Sequence, residues 1–291
     1  MTKLGSVFFV VSSLVLFTSG PTYPAENSLV GKGEYLVTAG GCAGCHTDFT
    51  KKGKPFAGGA PIPTPFGTFF PPNITPDKLN GIGDWSDNDF VRAMREGKNP
   101  DGAHYFPAFP YPSYTQITER DLRAMRAYLL SIPAIAQPSR PHKILFPFGW
   151  RFLQTGWKLL FFREGEFEPD PSRSPEAERG AYLSNALAHC GECHTPRNIF
   201  GGLDYDSWLA GTPRGPEGET VPNLTPDAET GLTWDIVEIV EYLKSGQTPE
   251  FDYAGSLMAK VIEHNTGKMT DEDLTAIAYY LKSLKPVKSA F

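Results

Sequence analysis

All four cysteines of this 291-residue chain fall in two copies of one short pattern. Cys42-Ala43-Gly44-Cys45-His46 and Cys190-Gly191-Glu192-Cys193-His194 each place a histidine directly after two cysteines spaced by two residues. That order is the attachment signature of c-type haem. The spacing has a mechanical reason: two sulfurs add to the two vinyl groups of one porphyrin, and the next side chain then lies under the iron. The sequence therefore predicts two covalently bound haem c groups, one on Cys42 and Cys45 and one on Cys190 and Cys193. His46 and His194 are the expected proximal iron ligands. Two other chemistries use the same residues: a single zinc ion on four sulfurs, or a dithiol redox pair. The histidine after each pair and the duplication of the surrounding sequence favour haem. No thiol is left for a disulfide or for nucleophilic catalysis.

The duplication lets one half of the chain annotate the other. Gly33-Glu34-Tyr35-Leu36 precedes the first motif, and Gly180-Ala181-Tyr182-Leu183 precedes the second. Pro72-Asn73-Ile74-Thr75-Pro76-Asp77 recurs as Pro222-Asn223-Leu224-Thr225-Pro226-Asp227, and Trp85 and Gly97 recur as Trp234 and Gly246. A methionine sulfur opposite the histidine raises haem potential and suits electron transfer. Met258 lies where such a ligand belongs in the second copy, whereas Met269 reads as packing. The equivalent residue of the first copy is Phe109. Met94 and Met125 fall at the helix-core positions of Leu243 and Ile277. His104 is the tentative sixth ligand of the first iron. The other reading makes it a loop histidine bonded to a propionate or to the backbone. If no side chain replaces the methionine, that iron is five-coordinate or water-ligated and open to small molecules.

The elements that must position these residues are helices. A short helix leads into each motif, and its tyrosine and leucine (Tyr35 and Leu36, Tyr182 and Leu183) are expected to face the closing helix of the same copy. Thr118 and Thr270 are the expected N-caps of the closing helices, with acids in the first turn. Apolar residues then recur at helical spacing, as in Leu122, Met125 and Leu129 or Leu274, Ile277 and Leu281. A first helix crossing a last helix around a haem resembles the class I cytochrome c plan. The expected fold is all-α: two tandem cytochrome c domains at 26–135 and 176–291, joined by a Pro- and aromatic-rich connector at 136–175. The Pro55–Pro72 loop should shield the first ring from water. Asn73-Ile74-Thr75 and Asn223-Leu224-Thr225 match glycosylation sequons but are read as buried turn chemistry.

A net charge of −6 with no basic block excludes nucleic acid as a partner and mildly favours one with a positive docking face. The 29 glycines and 27 prolines suit short helices joined by long ordered loops. Residues 1–25 read as a secretory signal peptide, with Lys3 ahead of an apolar run too short to span a bilayer comfortably. The periplasm is the expected location. The connector reads either as a strap packed across both domains or as an amphipathic segment, at 145–163, touching a membrane or a partner.

Taken together, Pro72–Asp77, Phe109-Pro110-Tyr111-Pro112-Ser113-Tyr114, Arg179–Leu183 and Cys190–Asn198 resemble the cytochrome c subunits of periplasm-facing bacterial dehydrogenases. These include alcohol and gluconate dehydrogenase subunits and cytochromes paired with molybdenum hydroxylases. The resemblance implies electron transfer from a partner dehydrogenase to a quinone, another cytochrome or a terminal oxidase. Many such subunits have methionine where this chain has Phe109. The rival expectation is a dihaem enzyme, such as a peroxidase or a thiosulfate dehydrogenase, reacting at an open or unusually ligated first haem.

Overall fold

The computed structural model describes Met1 and residues 28–291. The export segment expected at 1–25 lies, apart from Met1, outside the described residues. Helix α1 (Leu29–Ala39) is capped by Ser28, whose hydroxyl accepts from the Gly31 N–H, and it leads into α2 (Cys42–His46). The Pro- and Phe-rich loop that follows holds a hairpin, β1 (Ile62–Thr64) and β2 (Gly67–Phe69). Helix α3 (Asp87–Glu96) opens on a Ser86–Asp89 capping box. Helix α4 (Tyr111–Tyr114) is a single turn, and α5 (Glu119–Ser131) starts at Thr118 as expected. The connector contributes β3 (Lys143–Ile144) and α6 (Leu153–Phe161). The second copy runs α7 (Pro175–Tyr182), a π-turn at Leu183–Leu187, α8 (Gly191–His194), α9 (Ile236–Ser245), α10 (Ser256–His264) and α11 (Asp271–Ser283). Thr270 caps α11 as Thr118 caps α5.

The all-α expectation needs one correction. β3 pairs antiparallel with β2, matching Gly67 to Ile144 and Thr68 to Lys143, so β1-β2-β3 form a small sheet. Pro61, Pro63 and Pro65 bar a helix here but tolerate extended backbone. Among the described residues the fold is mainly helical, with one three-stranded sheet tying the connector to the first copy.

In each copy the entering helix crosses the closing helix at a glycine. A Cβ on Gly33 would lie 1.9 Å from the Ala124 carbonyl oxygen, and one on Gly180 would lie 1.9 Å from that of Ala276. Contact this close needs a bare Cα. It also sets where the neighbouring side chains point. Two residues on is about 200° around a helix, so Tyr35 and Tyr182 project away from the glycine face.

This corrects the second expectation: each tyrosine meets the closing helix of the other copy. Tyr35 Oη donates to Asp273 Oδ2 at 2.6 Å, and Tyr182 Oη donates to Asp121 Oδ2 at 2.7 Å. Each aspartate is also paired within its own copy. Arg179 forks onto Asp273 at 2.9 and 2.8 Å, and Lys32 pairs with Asp121. Two matching three-residue clusters thus hold the copies together about a pseudo-twofold.

The connector is a strap across both copies. Lys158 Nζ donates to the Gly97 carbonyl at 2.9 Å in the first copy, and Trp157 Nε1 donates to the Phe200 carbonyl at 2.9 Å in the second. Its outer side stays apolar, with Phe146 79% and Leu159 86% exposed. No helix among the described residues is long and apolar enough to cross a membrane.

Gly180→Ala should lower stability by about 1–3 kcal/mol, as overpacking of a fixed contact does. Gly156→Ala in α6 meets open space and should be neutral or stabilising by up to about 1 kcal/mol. Thermal unfolding of both variants checks the contrast. Burial alone would raise the Asp273 carboxyl, but the Arg179 guanidinium and the Tyr35 hydroxyl hold it below its ordinary value. Its contribution is therefore complete above the ordinary carboxylate range and is lost as pH falls through the depressed value. Asp273→Asn should lower stability at neutral pH and flatten the acid limb of a melting-temperature profile; an unaltered acid limb would contradict the assignment.

Candidate functional site

Both motifs form short helices, α2 and α8, and each is followed by a buried threonine that pins the next loop. Thr47 Oγ1 accepts from the Phe56 N–H at 3.0 Å, and Thr195 Oγ1 accepts from the Leu209 N–H at 3.0 Å. The histidines are oriented the same way in both copies. His46 Nδ1 lies 2.7 Å from the Pro72 carbonyl oxygen, and His194 Nδ1 lies 2.8 Å from that of Pro222. A carbonyl can only accept, so the proton sits on Nδ1 and the Nε2 lone pair is free for a metal. Burial lowers both imidazole pKa values, against the opposing pull of the carbonyl.

The repeated Pro-Asn-x-Thr-Pro-Asp segment holds those carbonyls in place. Asn73 Oδ1 accepts from the Thr75 N–H at 2.9 Å, while its Nδ2 donates to the Ile135 carbonyl at 2.7 Å. Asn223 repeats the arrangement, accepting from the Thr225 N–H at 2.8 Å and donating to the Val287 carbonyl at 2.7 Å. Thr75 and Thr225 bond the same downstream segments, accepting from Ile135 and Val287 N–H at 3.1 Å each. All four side chains are buried. The sequon-like triplets are therefore internal turn chemistry, as expected. Desolvation pushes the partly covered Cys42 and Cys193 thiols up to about 12 and the Cys190 thiol to about 11, while Cys45 is exposed. Resting thiolates are thus disfavoured at Cys42, Cys190 and Cys193, unlike the low-pKa thiol of a dithiol redox site. Among the described residues no three His, Cys, Asp or Glu side chains converge as a metal site, so the four sulfurs are not gathered for zinc.

The remaining candidates fall in different surroundings. Met258 lies in the first turn of α10, partly covered, whereas Met94, Met125 and Met269 are buried in the core. His104 is held by the connector: its Nε2 is 3.2 Å from Thr155 Oγ1, and its carbonyl accepts from Arg151 Nη1 at 2.5 Å. Several residues that join the two motifs have no signature in the sequence. Ser113 Oγ in α4 donates to Glu192 Oε1, the middle of the second motif, at 2.8 Å. The Tyr114 ring lies 5.4 Å from that of His189, just ahead of Cys190, and its hydroxyl donates to the Gly40 carbonyl at 2.7 Å, just ahead of Cys42. At the far end of α10, His264 stacks on Phe49 at 3.9 Å, beside the first motif. Only the matching Glu-Arg-Asp-Leu and Asp-Glu-Asp-Leu runs hinted that Asp121 and Asp273 mattered; their cross-copy partners were not legible.

Two helical units, each presenting a Cys-x-x-Cys-His helix whose imidazole is aimed by a proline carbonyl, define a protein built to carry two haem c groups. The cytochrome c family model matches residues 30–133 and 177–285, and the chain belongs to that family. It is 44% identical over 266 residues to a diheme cytochrome c-type protein of Cereibacter sphaeroides, covering 88% of this chain and 86% of that one. It is 38% identical over 291 residues to the gluconate 2-dehydrogenase cytochrome c subunit of Pantoea cypripedii, covering 96% of this chain and 65% of that one. It is 37% identical over 276 residues to the fructose dehydrogenase cytochrome subunit of Gluconobacter japonicus, covering 92% of this chain and 56% of that one. The chain thus spans most of the first relative and less than two thirds of the other two. Two covalently bound haem c groups follow from the paired domains and the diheme relative.

Removing the anchor of one carbonyl should be felt locally. Asn223→Ala removes the partner of the buried Thr225 N–H and one of the two donors to the Val287 carbonyl, which keeps the Thr225 hydroxyl, at a cost of about 1–3 kcal/mol. Thermal unfolding should fall accordingly, and the visible spectrum of one haem, not both, should change.

Proposed function

We propose that this chain is a periplasmic dihaem cytochrome c that takes single electrons from a partner dehydrogenase. It passes them between its haems and on to a quinone, another cytochrome or a terminal oxidase. The observation that carries this reading is the joining of two equivalent histidine–proline sites into one body by the Tyr35–Asp273 and Tyr182–Asp121 bonds. The names of the relatives support it, because three kinds are cytochrome subunits of gluconate, fructose and alcohol dehydrogenases.

In this reading Cys42 and Cys45 hold one porphyrin, and Cys190 and Cys193 hold the other. His46 and His194 are the proximal ligands. Bound haem supplies the one-electron iron couple. The chain supplies everything around it. Pro72 and Pro222 hold the Nδ1 protons and so fix which nitrogen faces the iron. Met258, in the first turn of α10, would supply the sulfur ligand of the second haem, Met94, Met125 and Met269 being buried in the core. The exposed apolar side chains at 145–163 form the face for a dehydrogenase or for peripheral contact with lipid, and residues 1–25 direct export.

Paired serine substitutions test the assignment. Cys42→Ser with Cys45→Ser, or Cys190→Ser with Cys193→Ser, should each leave one haem of two, read by intact mass and by the pyridine haemochrome spectrum. The wild-type mature chain should carry two haems and lack the leader. A colourless wild-type chain made alongside a working haem-ligation system would sink the proposal.

A further inference from the structure

Phe109 stands out once the two copies are laid over each other. The backbone matches closely just before it. Tyr105 N–H donates to the Gly97 carbonyl at 2.7 Å, and Ala254 N–H donates to the Gly246 carbonyl at 2.8 Å. The bridges Lys98–His104 and Gln247–Tyr253 pair in the same register. Four residues beyond those donors stand Phe109 in one copy and Met258 in the other. Small shifts of register do not rescue a ligand, because residues 105–117 contain no methionine, histidine, cysteine or lysine.

The neighbouring donor side chains each have other contacts; His142, for one, accepts from the Phe70 N–H through Nδ1 at 3.1 Å and packs on Phe69 and Phe106. Met94 and Met125 are buried in the core of the first copy. His104 occupies the bridge position of Tyr253, not that of Met258; its Nε2 faces Thr155, while its Nδ1 is buried without a hydrogen-bond partner. Tyr114 donates its hydroxyl to Gly40, and Tyr111 is buried under Lys158, whose Nζ sits 4.5 Å from its ring centre. Phe109 itself is fixed edge-on between Tyr105 and Tyr114, at ring separations of 5.5 and 5.7 Å. A phenyl ring has no lone pair to offer iron. Set among other rings, it makes an apolar wall that disfavours a charged ligand.

We propose that the first haem centre has no protein ligand opposite His46 and binds a small neutral ligand of the carbon monoxide class there, against the Phe109 wall. The inference rests on the proposed role of His46 and deepens it: one centre is a closed electron carrier and the other is open to ligand. Polarity and access on the distal side decide what a haem can bind, and residue 109 sets both.

The test uses the full holoprotein, reduced with dithionite and titrated with carbon monoxide while visible absorbance is followed. One carbon monoxide should bind per chain, shifting one haem spectrum of the two. Phe109→Met should weaken that uptake by at least about tenfold, a 1.4 kcal/mol difference or more, whereas Phe109→Leu and His104→Ala should leave it intact. Both replacements at 109 are apolar and close in size, so the leucine variant separates loss of the open position from damage to the fold. Two haems with no uptake, or uptake that Phe109→Met leaves unchanged, would overturn the inference while leaving the electron-carrier reading in place. A low-spin first haem that opens only in His104→Ala would overturn it in favour of histidine ligation. Fewer than two haems in the pyridine haemochrome assay would instead overturn the function from which it starts.

Discussion

The structure depends on a hydrogen bond made twice, from a histidine Nδ1–H to a proline carbonyl. A free imidazole can present either nitrogen and can rotate; these two cannot, because the acceptor has no proton to give and is itself held rigidly. Its rigidity comes from an asparagine and a threonine two residues apart, both buried and both bonded to the segment that leaves the closing helix. In this arrangement the end of each copy fixes the middle, and the middle aims the ligand at the start. That closed circuit explains why Pro-Asn-x-Thr-Pro-Asp recurs so nearly unchanged while the loops around it differ.

Joining the copies adds a second constraint. A glycine in each entering helix lets the closing helix come to backbone contact, and helical geometry then turns the tyrosine two residues on toward the other copy. The two aspartates at the heads of the closing helices receive a cation from their own copy and a hydroxyl from the other. Charged groups buried this way are worth keeping only if fully paired, and both are. The result is one body in which the Tyr114–His189 and Ser113–Glu192 contacts run directly between the surroundings of the two motifs. A carrier that must move electrons between two sites needs them held at a fixed separation, and this interface provides it.

Much of this was legible in the sequence because the chain repeats itself. The Cys-x-x-Cys-His motifs, the threonine caps at Thr118 and Thr270, the core positions of Met94 and Met125 and the buried character of Asn73 and Asn223 all follow from local chemistry or from comparison of the halves. What was not legible depends on contacts between elements far apart in sequence. The direction of Tyr35 and Tyr182 required knowing that Gly33 and Gly180 take the near side of the helix. The small sheet required the connector to fold back on a proline-rich hairpin, which no periodicity announces. His104 illustrates the same limit: it was singled out because no methionine remained, and its contacts with Thr155 and Arg151, some 50 residues on, could not be read from the sequence.

The central claim is that two equivalent proximal sites carry haems whose opposite faces differ. Low-temperature electron paramagnetic resonance of the oxidised, full-length holoprotein tests it most directly. One low-spin signal of histidine–methionine type together with one high-spin ferric signal of equal weight is the predicted result. Two indistinguishable low-spin signals, or no ferric haem signal at all, would contradict the account.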